Sequence, residues 1–121
     1  MSKIEKFEDL QCWQAARLLV KEVYTASDTG KLARDFDTKS QIRRAALSSM
    51  NNIAEGFGRY GDKDFIRFLN TAQSSVQEVQ SILYVLTDLE YIDDERILRM
   101  RKNANDAKNL ILGFIKYLNT R

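Results

Sequence analysis

Between Gln41 and Arg59 the chain collects most of the residue types from which a site could be made: the paired Arg43 and Arg44, the carboxylate Glu55, and a glycine run containing Arg59. Gly56-Phe57-Gly58-Arg59-Tyr60-Gly61 matches the letters of the G-x-G-x-x-G dinucleotide fingerprint, in which glycines let the backbone approach a pyrophosphate at a helix N-terminus. That fingerprint requires a preceding strand within a βαβ unit. Here the run follows a helical pattern, and Asp62 and Asp64 fall in the next helical turn, where they repel the phosphate that the helix dipole attracts. It therefore reads as a helix end and an interhelix turn. Glu55 and Arg59, four residues apart, read as an ion pair across that turn. General acid/base catalysis needs a tuned group in a pocket, and Glu55 has no second partner in the sequence.

Other chemistries are removed by what the chain lacks. It contains no histidine, one cysteine (Cys12) and no proline. The common zinc sites, the histidine-containing di-iron site and histidine-based catalytic dyads and triads are excluded, as is a disulfide within the chain. Asp88, Glu90, Asp93, Asp94 and Glu95 lack the alternating ligands, central glycine and terminal glutamate of a calcium loop; Asp93 to Glu95 instead suit a helix cap and first turn. No catalytic residue, metal or cofactor is expected.

Charge is the remaining candidate for chemistry. The total is only +2, but it is unevenly spread. From Phe68 to Glu95 there are acids (Glu78, Asp88, Glu90, Asp93, Asp94, Glu95) and no base. From Arg96 to Arg121 the bases Arg96, Arg99, Arg101, Lys102, Lys108, Lys116 and Arg121 face the single acid Asp106. Arg34, Lys39, Arg43, Arg44, Arg59, Lys63 and Arg67 form a second basic group. Such stripes can neutralise phosphates, or pair with acidic helices and neighbouring subunits. Phe65, Phe68 and Phe114 fall on core positions, so no stacking surface for bases is expected.

The elements that must position these residues are helical. Without proline, long uninterrupted helices are allowed. Leu10, Trp13, Ala16, Val20, Val23 and Tyr24 recur at three- and four-residue steps after Asp9, a candidate N-cap, which predicts a helix over 10–26. Gly30 suits a left-handed turn beyond it, and Lys31 to Asp37 reads as a connection or a short helical turn. Asp37 or Thr38 caps a second helix, 38–55, whose inward Ile42, Ala45, Ala46, Ser49, Met50 and Ile53 are mostly small enough for close packing. A third helix, 63–89, capped by Gly61 or Asp62, turns Phe65, Phe68, Leu69, Ala72, Val76, Val79, Leu83 and Leu86 inward. Ile92, Asp93 and Ile97 match a hydrophobic staple around an N-cap, opening a fourth helix, 94–119, with Ile97, Met100, Ala104, Ala107, Ile111, Phe114 and Leu118 inward.

Short connections between four such helices predict an all-α fold, an up-and-down antiparallel four-helix bundle forming one domain over residues 1–121. Residues 1–8 are expected to be loose apart from Ile4 and Phe7. Leu98 and Leu112 on one flank of the last helix, with Leu110 and Tyr117 on the other, form apolar stripes beyond the core set and predict a subunit interface in a homo-oligomer. No leader-like apolar segment or membrane-length run is present, so a cytoplasmic protein is expected.

Several blocks in order resemble the four-helix bundle proteins related to the 23S rRNA intervening-sequence proteins. These are Phe7-Glu8-Asp9-Leu10 with Trp13-Gln14 and Val23-Tyr24, then Gln41-Ile42-Arg43-Arg44-Ala45-Ala46, Asn52-Ile53-Ala54-Glu55-Gly56-Phe57-Gly58-Arg59, Phe65-Ile66-Arg67-Phe68-Leu69, and Ser75 with Glu78. The resemblance implies a small bacterial pentamer encoded within insertions in 23S rRNA genes. It also extends to the accessory variability protein of diversity-generating retroelements, a basic pentameric barrel that engages a reverse transcriptase and nucleic acid. Met50 stands where many relatives carry proline, implying a less kinked second helix.

Two functions follow as expectations. The first is a non-enzymatic homo-oligomer that binds RNA, or works with a nucleic-acid-processing protein, through Arg43, Arg44, Arg59, Lys63 and Arg67. The second is a protein-interaction or assembly scaffold with no nucleic-acid role.

Overall fold

The computed structural model describes residues 4–121, so the first three residues of the segment expected to be loose lie outside the described chain. The remainder is more ordered than its polarity suggests. Phe7–Asp9 form a turn of 3-10 helix. The Phe7 ring meets Trp13 edge-on at 5.2 Å, and the Gln14 side-chain amide donates to the Glu8 carbonyl at 3.0 Å.

Helices α1 (Gln11–Ala26), α2 (Gly30–Arg34), α3 (Phe36–Phe57), α4 (Asp62–Asp88) and α5 (Asp94–Thr120) follow, with no strand among the described residues. The four long helices form a ring in which each packs mainly on two neighbours, in the order α1, α3, α4, α5 and back to α1. Their antiparallel sense shows at both ends of the α4/α5 pair. Asp62, opening α4, holds Arg121 just past α5 at 2.7 Å, and Thr87 near the end of α4 accepts from Arg101 near the start of α5 at 3.1 Å. This is the expected up-and-down bundle. The connection between α1 and α3 contains the short α2, which places Leu32 in the core.

Most of the inward residues read from periodicity are buried, but α1 turns a different stripe to the core. Cys12 and Leu19 are buried, whereas Trp13, Val20 and Tyr24 are only half-buried. Leu18, Leu19 and Val20 are consecutive, so local apolarity does not decide which faces inward; packing between α3 and α5 does.

The caps also differ. Leu10, not Asp9, occupies the N-cap of α1, without a side-chain bond. The cap of α3 is Asp35, not Asp37 or Thr38: its carboxylate accepts from the Thr38 N–H at 3.2 Å and the Thr38 hydroxyl at 2.9 Å. The Tyr91 hydroxyl donates to the same carboxylate at 3.0 Å, tying the α4–α5 connection to the start of α3. Asp93 caps α5 as expected, accepting from the Arg96 N–H at 2.9 Å. At Met50, α3 continues unbroken.

Gly56 does not end α3 but lies within it. A β-carbon there would stand 2.6 Å from Cβ of Phe68 and 2.9 Å from the Phe65 ring, so the missing side chain sets how closely α3 approaches α4. Gly113, within α5, has open space where its β-carbon would be.

Two predictions follow from these contacts. Gly56→Ala lowers stability, because overpacking costs about 1–3 kcal/mol and the contact is to a β-carbon that cannot swing away; Gly113→Ala raises it by about 0.5–1 kcal/mol through helix propensity alone. Urea unfolding of the two variants measures both signs. The second concerns acid. The hydrogen bonds from the Thr38 backbone, the Thr38 hydroxyl and Tyr91 hold the Asp35 carboxyl below its usual range. A depressed folded value contributes stability above the unfolded carboxylate value of about 4 and loses it as pH falls through the folded value. Asp35→Asn keeps a capping oxygen but no charge. It is therefore less stable than the wild type near neutrality, and thermal unfolding midpoints of the two converge on acidification.

Candidate functional site

Three of the five basic residues expected to form a site converge on the α3–α4 turn. Gly58 follows α3, and Gly61, at φ 78°, reverses the chain into α4. This conformation is readily available only to glycine. Between the two, Arg59 pairs with Glu55 at 3.6 Å, the ion pair expected from spacing. Its guanidinium lies 4.8 Å from the Phe68 ring centroid, and that of Arg67 lies 5.1 Å from it. Arg67 in turn pairs with Asp64 at 2.7 Å. Lys63 is exposed and has no carboxylate within ion-pair distance among the described residues. Tyr60, at the tip of the turn, is fully exposed.

An aromatic row supports this end of the bundle. Phe57 meets Phe65 edge-on at 6.1 Å, Phe65 meets Phe114 at 5.4 Å, and Phe114 stacks on Tyr117 at 6.0 Å. Only Phe65 of the three phenylalanines assigned to the core is buried; Phe68 and Phe114 are half-buried. The core assignment of Phe68 and Phe114 is thus corrected: Phe68 lies under two arginines, while Tyr60 and Tyr84 stand outside the core.

Arg43 and Arg44 separate from this cluster and from each other. Successive helical residues diverge by about 100°, and here the divergence divides their roles. Arg43 turns to α1: its Nε donates to the buried Ser27 hydroxyl at 2.7 Å, Nη2 to the Tyr24 carbonyl at 3.4 Å, and the guanidinium lies 4.4 Å from the Tyr24 ring centroid. Ser27 donates onward to the Val23 carbonyl at 2.7 Å. Arg43 therefore holds the C-terminal end of α1, where the helix dipole favours a cation. Arg44 is exposed. It lies one turn before Ser48, whose hydroxyl meets that of Ser75 on α4 at 2.8 Å, so it shares the α3 face beside α4. By helix rise it stands about 20 Å from the turn cluster.

The apolar residues expected at a subunit interface are all exposed, Leu98 at 68%. They occupy two flanks of α5. Leu98 and Leu112 lie one turn from Arg101 and Lys108 on the side of α4. Leu110 and Tyr117 lie toward α1, where Ile4, Leu10 and Phe114 join them around a cleft of about 460 Å³.

Among the described residues no strand precedes the glycine run, and Asp62 at the start of α4 is engaged by Arg121, which holds its carboxyl below the usual range. Burial pushes the Cys12 thiol up to about 11, so it stays protonated and unreactive. Among the described residues, no group of three or more acidic, cysteine or histidine residues could hold a metal, and no helix is long and apolar enough to cross a membrane.

The different environments of the paired arginines give an expected outcome. Arg43→Ala removes bonds to a buried hydroxyl and a helix end and costs about 1–3 kcal/mol; Arg44→Ala changes stability by less than about 0.5 kcal/mol. Thermal and urea unfolding of the two variants check the difference.

No curated protein matches this chain. A solved structure from Bacteroides thetaiotaomicron, a protein of unknown function from the S23 ribosomal protein family, is similar in fold. It superposes with a TM-score of 0.79 and 23% identity over 87% of this chain and 98% of that one. The model of the 23S rRNA-intervening sequence protein family matches residues 8–113, which take in α1, α3 and α4 whole and α5 as far as Gly113, and the chain belongs to that family.

Proposed function

We propose that this bundle is a non-enzymatic, self-associating RNA-binding protein whose phosphate contacts come from Arg59, Lys63 and Arg67 at the α3–α4 turn, extended by Arg44 along α3. The observation that carries this reading is the turn itself. Three cations and the exposed Tyr60 project from one end of the molecule, where α3 lies close on α4 at Gly56 and the aromatic row packs beneath. Arg43 contributes indirectly, by fixing α3 to α1. The carboxylates of Glu55 and Asp64 hold the two arginines in place until phosphate displaces them, and release of the counterions condensed on the RNA makes binding weaker at high salt.

Self-association, to the pentamer that the family resemblance implies, is assigned to the exposed Leu110 and Tyr117 beside the α1 cleft. The same exposed residues favour a second reading, a scaffold for protein partners in which the cations serve assembly alone.

One set of measurements separates the readings. Wild-type protein binds RNA with an affinity that falls steeply with salt, and Arg59→Ala/Lys63→Ala/Arg67→Ala lowers the slope of log affinity against log salt by about 2–3 while leaving native mass unchanged. Leu110→Asp/Tyr117→Asp dissociates the oligomer. A wild-type protein that binds no RNA at low ionic strength leaves the scaffold, and a strictly monomeric one removes self-association from both readings.

A further inference from the structure

Away from the turn cluster, α4 and α5 leave between them a groove of about 600 Å³, lined chiefly by Gln77, Gln80, Tyr84, Arg101, Asn105 and Lys108. Every lining residue is polar or aromatic, and none is acidic. Tyr84 is 61% exposed, and the Arg101 guanidinium lies 4.1 Å from its ring centroid. Arg101 Nη2 also donates to the Thr87 hydroxyl at 3.1 Å. Both of these partners are neutral, so the guanidinium is fixed in place while its charge stays uncompensated. Lys108 lies two turns further along the same face of α5, about 10 Å away by helix rise. The amides of Gln80 and Asn105 each carry two donors and an acceptor, and Gln77 keeps both donors while its oxygen accepts from Gln73 at 3.3 Å.

These features fit one class of ligand better than others. A membrane surface or an apolar partner helix would leave the amides unpaired, and an acidic peptide would use the cations but not the ring. An unpaired nucleotide uses all of them: a base stacks on an aromatic or guanidinium plane, its edge meets amides, and its flanking phosphates meet cations. We infer that the α4/α5 groove is a binding site for unpaired RNA, in which a base stacks on the Tyr84–Arg101 platform and Arg101 and Lys108 take the adjoining phosphates. The inference rests on the RNA-binding reading above and adds to it a division of labour. The turn cluster contacts phosphates of any RNA, and the groove selects single strands.

The test uses the full chain and two labelled RNAs at low salt, an unstructured strand of about 12 nucleotides and a duplex of similar length, followed by fluorescence anisotropy. Tyr84→Ala is expected to weaken single-strand binding by about fivefold or more and to change duplex binding by less than about twofold. Its unfolding midpoint stays near that of the wild type, because the ring lies outside the core. Arg101→Gln reproduces the effect with a smaller salt slope. Single-strand binding that is unchanged in Tyr84→Ala, while the wild type binds RNA, overturns the groove alone. A wild type that binds neither RNA overturns the general reading and the groove together. A poly-glutamate peptide that binds the groove more tightly than the single strand, and loses affinity in Arg101→Gln but not in Tyr84→Ala, assigns it to an acidic protein segment and also overturns the proposal.

Discussion

At Gly56 the absence of a side chain allows α3 to lie so close to α4 that a single β-carbon would collide with both Phe68 and Phe65. The rest of that contact is built to match. Ala45, Ala46 and Ser49 on α3 and Ala72 on α4 are small and buried, and the polar atoms caught between the helices satisfy one another. Ser48 and Ser75 share a hydrogen bond, and Asn52 donates to the Ser48 carbonyl. No described side-chain nitrogen or oxygen is buried without a partner. Close approach also explains the position of Phe68. There is no room for its ring between the helices, so it lies at their edge, where Arg59 and Arg67 cover it. The packing of two helices and the presentation of the basic turn are thus one arrangement.

The molecule is nearly neutral in total, yet its cations differ in what they face. Arg59, Arg67, Lys102 and Arg121 have carboxylate partners. These surface pairs contribute little to stability and chiefly orient the side chains. Arg43 and Arg101 face only neutral partners, a hydroxyl and an aromatic ring in each case, with a helix-end carbonyl added at Arg43. The two differ in setting. Arg43 is tied to a buried serine and holds the end of α1, whereas Arg101 borders an open groove. One is consumed by the fold, and the other remains available.

Much of the architecture was legible from the chain alone. Period and punctuation specify four long helices to within about two residues at each end, because apolar residues at three- and four-residue steps can be buried together only in a helix. The Asn52–Arg59 block marks the family without reference to any contact, and Asp93 is recognisable as a cap from Ile92 and Ile97 around it. The start of α3 was less legible, since Asp35, Asp37 and Thr38 all have side chains able to cap. Tyr91, remote in sequence, bonds to Asp35 in the folded chain and adds to the choice of that residue.

What the sequence determined, then, was which residues could be inside and where the chain must turn, for these depend on local periodicity and on glycine. What each surface residue faces depends instead on how the helices are arranged around one another. The 100° step between Arg43 and Arg44 can be read from their adjacency, but that one direction leads to Ser27 and the other to open surface depends on which helix lies alongside. Gly56 illustrates the same limit: it looks like a helix end in one dimension and is a point of closest approach in three. Tyr84, next to the inward Leu83, could be placed on a flank from helical spacing. That the flank is a basic groove follows only from α5 running antiparallel beside it and bringing Arg101 over the ring.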